Sequence, residues 1–184
     1  MKQRDYSTGI SNCRYAVHNG PFVGELKRLP GAVKLTRRPS SDSRTFVVRE
    51  GGRAYSYTAA AKEKERRYAL EIVSLTKAFL TEVLGFTENE DGSLTEGIRP
   101  DVHISLFYET DNGGRPVRYQ LYDCAVETPS FDAATMSESL SADTRKLEFT
   151  ANPDPYNEGA YGRQIARADN AETFDTWFGE DIQI

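Results

Sequence analysis

The chain is poor in the side chains that most often carry chemistry. Its 184 residues include two cysteines, two histidines, two methionines and one tryptophan. Cys13 and Cys124 stand far apart and fit neither a disulfide framework nor a Cys-x-x-Cys metal site, so both read as reduced thiols. His18 and His103 are equally separated, without an HExxH pattern, and make no zinc site. In "TENEDGSLTEGI" the glycine of a calcium loop is matched by Gly92. Thr87 and Ile98, however, fall where carboxylates are required, so the stretch reads as a turn. Gly51-Gly52 and Gly113-Gly114 lack the following helix and lysine of a phosphate-cradling loop. No apolar run approaches the roughly 18 residues of a membrane span. The opening MKQRDYSTGISNC has no apolar stretch of the kind a secretory signal needs, which points to synthesis in a cytosol.

Catalysis has little to work with. Cys13, Cys124, His18 and His103 are the only residues from which a Cys–His dyad could be built, and His103 and Cys124 both sit within alternating strand patterns that read as structure. With 28 acidic residues, any chosen pair of carboxylates for glycoside hydrolysis is uninformative. The expectation is a protein that is no enzyme, with no catalytic residue, no cofactor and no metal.

What the sequence does have is charge, unevenly placed. The stretch 37–67, RRPSSDSRTFVVREGGRAYSYTAAAKEKERR, contains no leucine, isoleucine, methionine or tryptophan. It carries nine lysines and arginines against four acids, a surplus of five positive charges in a chain whose net charge is −5, so the remainder carries −10. Residues 86–184 alone hold seven bases and twenty acids. A basic arm on an acidic body invites head-to-tail association of copies, since complementary fields steer encounter and fix register. Arginines interleaved with Phe46, Tyr55 and Tyr57 also suit phosphates and bases, so a nucleic-acid-binding module using Arg37, Arg38, Arg44, Arg49 and Arg53 is the rival reading. The acidic pI of about 5.2 argues against it.

The local patterns are mostly those of β-structure. CRYAV and FVGEL flank the turn His18-Asn19-Gly20-Pro21, and Ala32–Thr36 alternates after Pro30-Gly31. Arg44–Arg49 and Arg53–Thr58 surround Gly51-Gly52 as a hairpin too polar to stand alone. Tyr68, Leu70 and Ile72 alternate. Leu75, Ala78, Phe79 and Val83 then follow helical spacing, with Ser74 as N-cap and Gly85 at C′. Val102, Ile104, Leu106 and Tyr108 share a face, Asp111-Asn-Gly-Gly114 turns the chain, and Val117, Tyr119, Leu121 follow. At Leu121-Tyr122 the alternation shifts phase, which predicts a β-bulge. Leu147, Phe149 and Ala151 resume period two. A second helix over 171–178 is capped by Asn170 and stopped by Gly179, with Phe174, Trp177 and Phe178 as its packing face. The expectation is a mainly β (α+β) single domain over 1–184. It would be an antiparallel sandwich or barrel of seven or eight strands with one flanking helix, a hairpin arm at 37–67, an N-terminal arm at 1–13, and a C-terminal arm with a short helix at 152–184.

Along its length the chain resembles the phi13-type major tail proteins of long-tailed bacteriophages. The likeness runs through Tyr15-Ala16, Leu29-Pro-Gly-Ala-Val33, the segment ending Val83-Leu84-Gly85-Phe86, and the strand His103–Glu109 with its Gly-Gly hairpin. It continues through Tyr119–Cys124, Thr128-Pro129-Ser130, Leu147-Glu-Phe149 and Phe174-Asp-Thr-Trp-Phe178. The departure is Arg49-Glu-Gly-Gly-Arg53, where an aspartate-asparagine pair followed by a short loop is common in the family. The resemblance implies a β-sandwich with a flanking helix, assembled into hexameric rings stacked as a hollow tube through which the genome is ejected. It implies a place in the virion after assembly in a bacterial host cytoplasm, no membrane, and tape-measure, tail-terminator and distal-tail proteins as partners. On that reading Arg37, Arg38, Arg44, Phe46, Arg49, Arg53, Tyr55 and Tyr57 form the contact between rings. Glu127, Asp132, Glu138 and Asp143 face the lumen, where carboxylates let DNA slide without binding. A capsid decoration protein is the related structural alternative.

Overall fold

Period-two alternation produces strands here almost wherever it occurs. The computed structural model describes residues 7–19, 22–38, 43–50, 53–60, 66–127, 129 and 144–179. In chain order β1 is Ser7–Asn19, β2 Phe22–Val23, β3 Lys27–Arg28, β4 Ala32–Arg38, β5 Ser43–Glu50, β6 Arg53–Ala60 and β7 Arg66–Ile72. Helix α1, Lys77–Glu82, follows, then β8 Phe86–Glu88, β9 Leu94–Glu96, β10 His103–Asn112, β11 Pro116–Val126, β12 Arg145–Asn152 and β13 Gly162–Ala166. Helix α2, Ala171–Asp175, comes last. The protein is mainly β, as expected.

Among the described residues nine strands form one sheet, ordered β2-β1-β10-β11-β12-β7-β4, with β3 also on β1 and β13 also on β11. Every pairing is antiparallel. Strand β11 is long enough to hold two partners on one edge: Val117–Leu121 pairs with β13 and Asp123–Val126 with β12. The sheet rolls until β4 lies against β1, the barrel form of the expected architecture. The rolled interior holds Tyr15, Leu70, Ile104, Leu106, Leu147 and Phe149, all 1% exposed or less. Each such side chain contributes about 1.5–3 kcal/mol relative to leaving it in water.

The bulge lies where the phase shift places it. Ile104 pairs with Cys124 and Leu106 with Leu121, so Ser105 faces both Tyr122 and Asp123. Both Leu121 and Cys124 therefore reach the interior although they are three residues apart. Without that extra residue, one half of β11 would present its polar side chains to the core.

Helix α1 plugs one end of the roll. Phe79 and Val83 are fully buried, and the Phe79 ring meets Tyr15 edge-on at 4.9 Å. The N-cap is Thr76, not Ser74: its Oγ1 accepts a hydrogen bond from Phe79 N at 3.3 Å. The cap moves because the helix begins two residues later than the spacing suggested. Gly85, expected at C′, lies one residue beyond it because Val83 is the C-cap; it has φ +77° and lies against the 97–100 segment. Helix α2 has the expected cap, Asn170 Oδ1 accepting from Thr173 N at 2.9 Å, and ends earlier than expected, at Asp175.

Both terminal arms are corrected. Ser7–Cys13 is the first half of β1, with Ser7 registered on Asn112 and Ile10 on Thr110. Gly9 and Asn12 take positive φ there and interrupt the alternation that would otherwise mark a strand. The 152–179 region is not an arm either, because β13 joins the sheet and α2 packs on it. Residues 1–6 and 180–184 lie outside the described residues.

Gly85 and Gly92 separate two costs of a side chain. Both have positive φ, but a Cβ on Gly85 would fall 2.6 Å from Ile98 O, whereas one on Gly92 meets nothing within 4 Å. Gly92→Ala is expected to cost about 1 kcal/mol from conformation alone, and Gly85→Ala at least about 2–3 kcal/mol. Urea unfolding of the two variants checks the ranking; equal losses would remove the packing role of Gly85.

Candidate functional site

The basic stretch 37–67 divides into a hairpin and its roots. Strands β5 and β6 form a two-stranded sheet with no ladder to the main one. The register sets Phe46 opposite Tyr57, Val48 opposite Tyr55, Arg44 opposite Ala59, Arg49 opposite Ala54 and Glu50 opposite Arg53. Val47, on β5, is 64% exposed. Arg37 and Arg38 are not on the hairpin but on β4, paired with Tyr68 and Arg67 of β7. Arg38 is also held within the body by Glu148 at 2.5 Å. Of the four acidic residues expected in the lumen, Glu127 is exposed at the end of β11; Asp132, Glu138 and Asp143 lie outside the described residues.

The strand directions give the molecule two distinct ends. At one, the start of β1, the end of β4, the start of β7 and the end of β10 converge, as the pairs Ser7–Asn112 and Arg38–Arg67 require. The hairpin β5–β6 leaves from this end. Here a cleft of about 640 Å³ opens, lined by Lys34, Arg37, Arg66 and Arg163 with Tyr68, Tyr108 and Tyr119, with no carboxylate among the described lining residues. The Tyr108 and Tyr119 rings stack at 4.8 Å, 7° from parallel. Burial, then the neighbouring Tyr68 and Tyr119, pushes the Tyr108 phenol above its ordinary value. Arg66 lies over the Tyr161 ring at 4.1 Å.

The other end carries α1 and a second detached hairpin, β8–β9. Residues 86–98 hold Glu88, Glu90, Asp91 and Glu96 and no lysine or arginine. Asp91 Oδ1 accepts hydrogen bonds from Ser93 N at 2.9 Å and Ser93 Oγ at 2.6 Å, which fixes the turn and holds the carboxyl below its ordinary value. Glu88 pairs with Lys77 of α1. Ile98 beside it is 97% exposed.

The outer face of β1, β10, β11 and β13 is closed by an arginine–aromatic layer built on Phe174, Trp177 and Phe178, the expected packing residues of α2. Arg118 lies over Phe174 at 4.0 Å and Phe178 at 4.5 Å, donates through Nε to Glu109 Oε2 at 2.8 Å, and bonds the Phe174 carbonyl. Arg163 covers Trp177 at 4.2 Å and donates to Gln120 Oε1 at 2.9 Å. Arg14, 5% exposed, lies 4.8 Å over Phe178. Burial, then the positive charges of Arg28 and Arg118, lowers its pKa. The arginine partners come from three strands far apart in the chain, so no local pattern marks them.

The residues considered for catalysis have other partners or lie in the core. Cys13 and Cys124 are buried in the core. His103 Nδ1 pairs with Asp123 Oδ1, and His18 Nε2 lies 2.8 Å from Ser105 Oγ. Ser105 Oγ donates to the Tyr122 carbonyl at 2.7 Å, and with its one proton placed there its oxygen accepts from the Nε2–H tautomer of His18. A nucleophilic serine needs the reverse. The Tyr122 carbonyl is on the bulge, where the ladder leaves it in need of a donor.

No protein-family profile matches the chain. No curated protein matches it either. Solved structures that match include a chain of the anti-feeding prophage (AFP) baseplate, 12% identical, covering 90% of this chain and 97% of that one, with TM-score 0.44. A chain of the PVC sheath–tube complex of an extracellular contractile injection system in the extended state is 13% identical over 84% of this chain and 88% of its own, TM-score 0.39. One from the sheath/tube terminator of that system is 12% identical over 88% and 99%, TM-score 0.38. Likeness at this level transfers no function.

Burial pushes the Cys13 thiol up to about 12 and the Tyr15 phenol likewise to about 12. Each folded-state value lies above the unfolded one, so the stability these groups contribute is complete below about pH 9 and falls as pH rises toward 12. Both cysteines are expected to resist a thiol reagent at pH 8 in the native state and to react fully in denaturant; prompt native labelling would contradict their burial.

Proposed function

We propose that this chain is a structural, non-enzymatic subunit of a phage-type tail, assembling into hexameric rings that stack as a hollow conduit for DNA. The observation that carries the reading is the hairpin β5–β6, a two-stranded sheet outside the main ladder with Val47 open to solvent. Such a ribbon is marginal in water by itself, and a second molecule is one source of the surface it lacks. The charge imbalance between residues 37–67 and the rest of the chain fits identical copies as that partner. The sequence resemblance to phage tail proteins supports the same reading, and with it a place in the virion and contacts to tape-measure, terminator and distal-tail proteins.

In this reading the hairpin, with Arg44, Phe46, Arg49, Arg53, Tyr55 and Tyr57, docks on the adjacent ring. Arg37 and Arg38 belong to its root. Glu127, Asp132, Glu138 and Asp143 face the lumen, where a surface that paired phosphates would hold DNA instead of passing it.

Because Arg38 and Arg67 are already paired across β4 and β7, residues 41–62 can be replaced by a short Gly-Ser link without touching the body sheet. The variant is expected to keep the thermal unfolding of the body and to lose tubes in negative-stain micrographs, where the intact chain forms them. Tubes in the deletion variant would remove the hairpin from the contact. An intact chain that stays monomeric at high concentration would remove the function.

A further inference from the structure

Two large apolar side chains stand in solvent at the two detached hairpins: Val47 on β5, 64% exposed, and Ile98 just after β9, 97% exposed. Exposure on this scale in one molecule means that neither of them is covered within a copy. Ile98 has a fixed support. A Cβ on Gly97 would fall 2.8 Å from the Gly85 carbonyl oxygen, and one on Gly85 would fall 2.6 Å from the carbonyl oxygen of Ile98. Two positions without side chains thus let the backbones at 85 and 97–98 lie in contact, and Ile98 projects from that contact. Val47 shares its side of the β5–β6 ribbon with Arg49, two residues on, and with Ser56, its register partner; all three are exposed.

Charge selects what can meet. Residues 43–60 carry Arg44, Arg49 and Arg53 against Glu50, whereas 86–98 carry Glu88, Glu90, Asp91 and Glu96 and no lysine or arginine. Glu88 is paired with Lys77 and Asp91 is held in its turn, but Glu96, two residues before Ile98, is exposed. Copies meeting through like hairpins would oppose like charges; copies meeting through unlike hairpins would not.

We infer that the face of the β5–β6 hairpin bearing Val47 and Arg49 binds, on a second copy of this chain, the surface that Ile98 and Glu96 form beside the β8–β9 hairpin. Contact removes both apolar side chains from water, and the Arg49–Glu96 pair fixes its register. The two surfaces differ, so each copy added leaves one of each unoccupied, and a heterologous contact of this kind propagates. The inference rests on the reading of the β5–β6 hairpin as the contact between copies and adds the surface that receives it.

The test is a charge exchange in the full-length protein, read by sedimentation velocity at low salt. R49E and E96R both change exposed positions, and circular dichroism checks that each variant is folded. Each alone is expected to self-associate at least about tenfold more weakly than the wild type, because like charges then meet. The double variant R49E/E96R restores an unlike pair with its sign reversed and is expected to regain most of the loss. Ile98→Ser, which leaves every charge in place, is also expected to weaken association. A charge variant or Ile98→Ser that associates as the wild type does, or a double variant no better than the single ones, would overturn the inference and leave the proposed function standing. Recovery in the double variant without rings or tubes in micrographs would sustain the inference and defeat the function. A wild type that stays monomeric at high concentration would overturn both.

Discussion

A rolled antiparallel sheet has two faces and two ends to cover, and how each is covered governs the rest of this molecule. The inner face is filled by its own apolar side chains and sealed by Phe79 of α1 and Val83 just after it. The outer face is covered by α2, through arginine guanidinium groups laid on Phe174, Trp177 and Phe178. Both solutions depend on the register of β10 and β11. The extra residue opposite Ser105 keeps Leu121 and Cys124 inside, and the Ser105 hydroxyl caps the carbonyl that the bulge leaves out of the ladder. Of the polar groups buried there, Ser105 is satisfied by this bond and by His18.

The ends are treated differently. Each carries a detached two-stranded hairpin, and the two hairpins and their surroundings are opposite in charge. A monomer with this arrangement exposes large apolar side chains at both places, Val47 on β5 and Ile98 after β9. On the proposed function, the charge imbalance along the chain steers the encounter of copies and fixes its register.

Much of this was legible in the sequence, and the rest was hidden for physical reasons. Alternation located β7, β10, β11 and β12, the phase shift located the bulge, and Asn170 with Gly179 located α2. The first half of β1 was missed because Gly9 and Asn12 adopt positive φ and break the period that identifies a strand. Strand β13 was missed because Arg163 and Gln164 are exposed, leaving little apolar alternation in a five-residue segment. The cleft and the arginine layer were invisible because β1, β4, β7, β11 and β13 contribute them jointly, and no local pattern records which distant arginines will meet. Arg37 and Arg38 looked like arm residues from composition, yet the ladder to Tyr68 and Arg67 places them in the body.

The proposed assembly depends on the positive charge of residues 37–67 and the negative charge of the rest of the chain drawing identical copies together. Its most direct measurement is sedimentation velocity of the intact chain across protein concentration at about 50 mM and about 1 M salt, where screening lengths differ severalfold. Large assemblies at low salt that recede toward smaller species at high salt are expected. A single monomeric species at every concentration and both salts would contradict the claim.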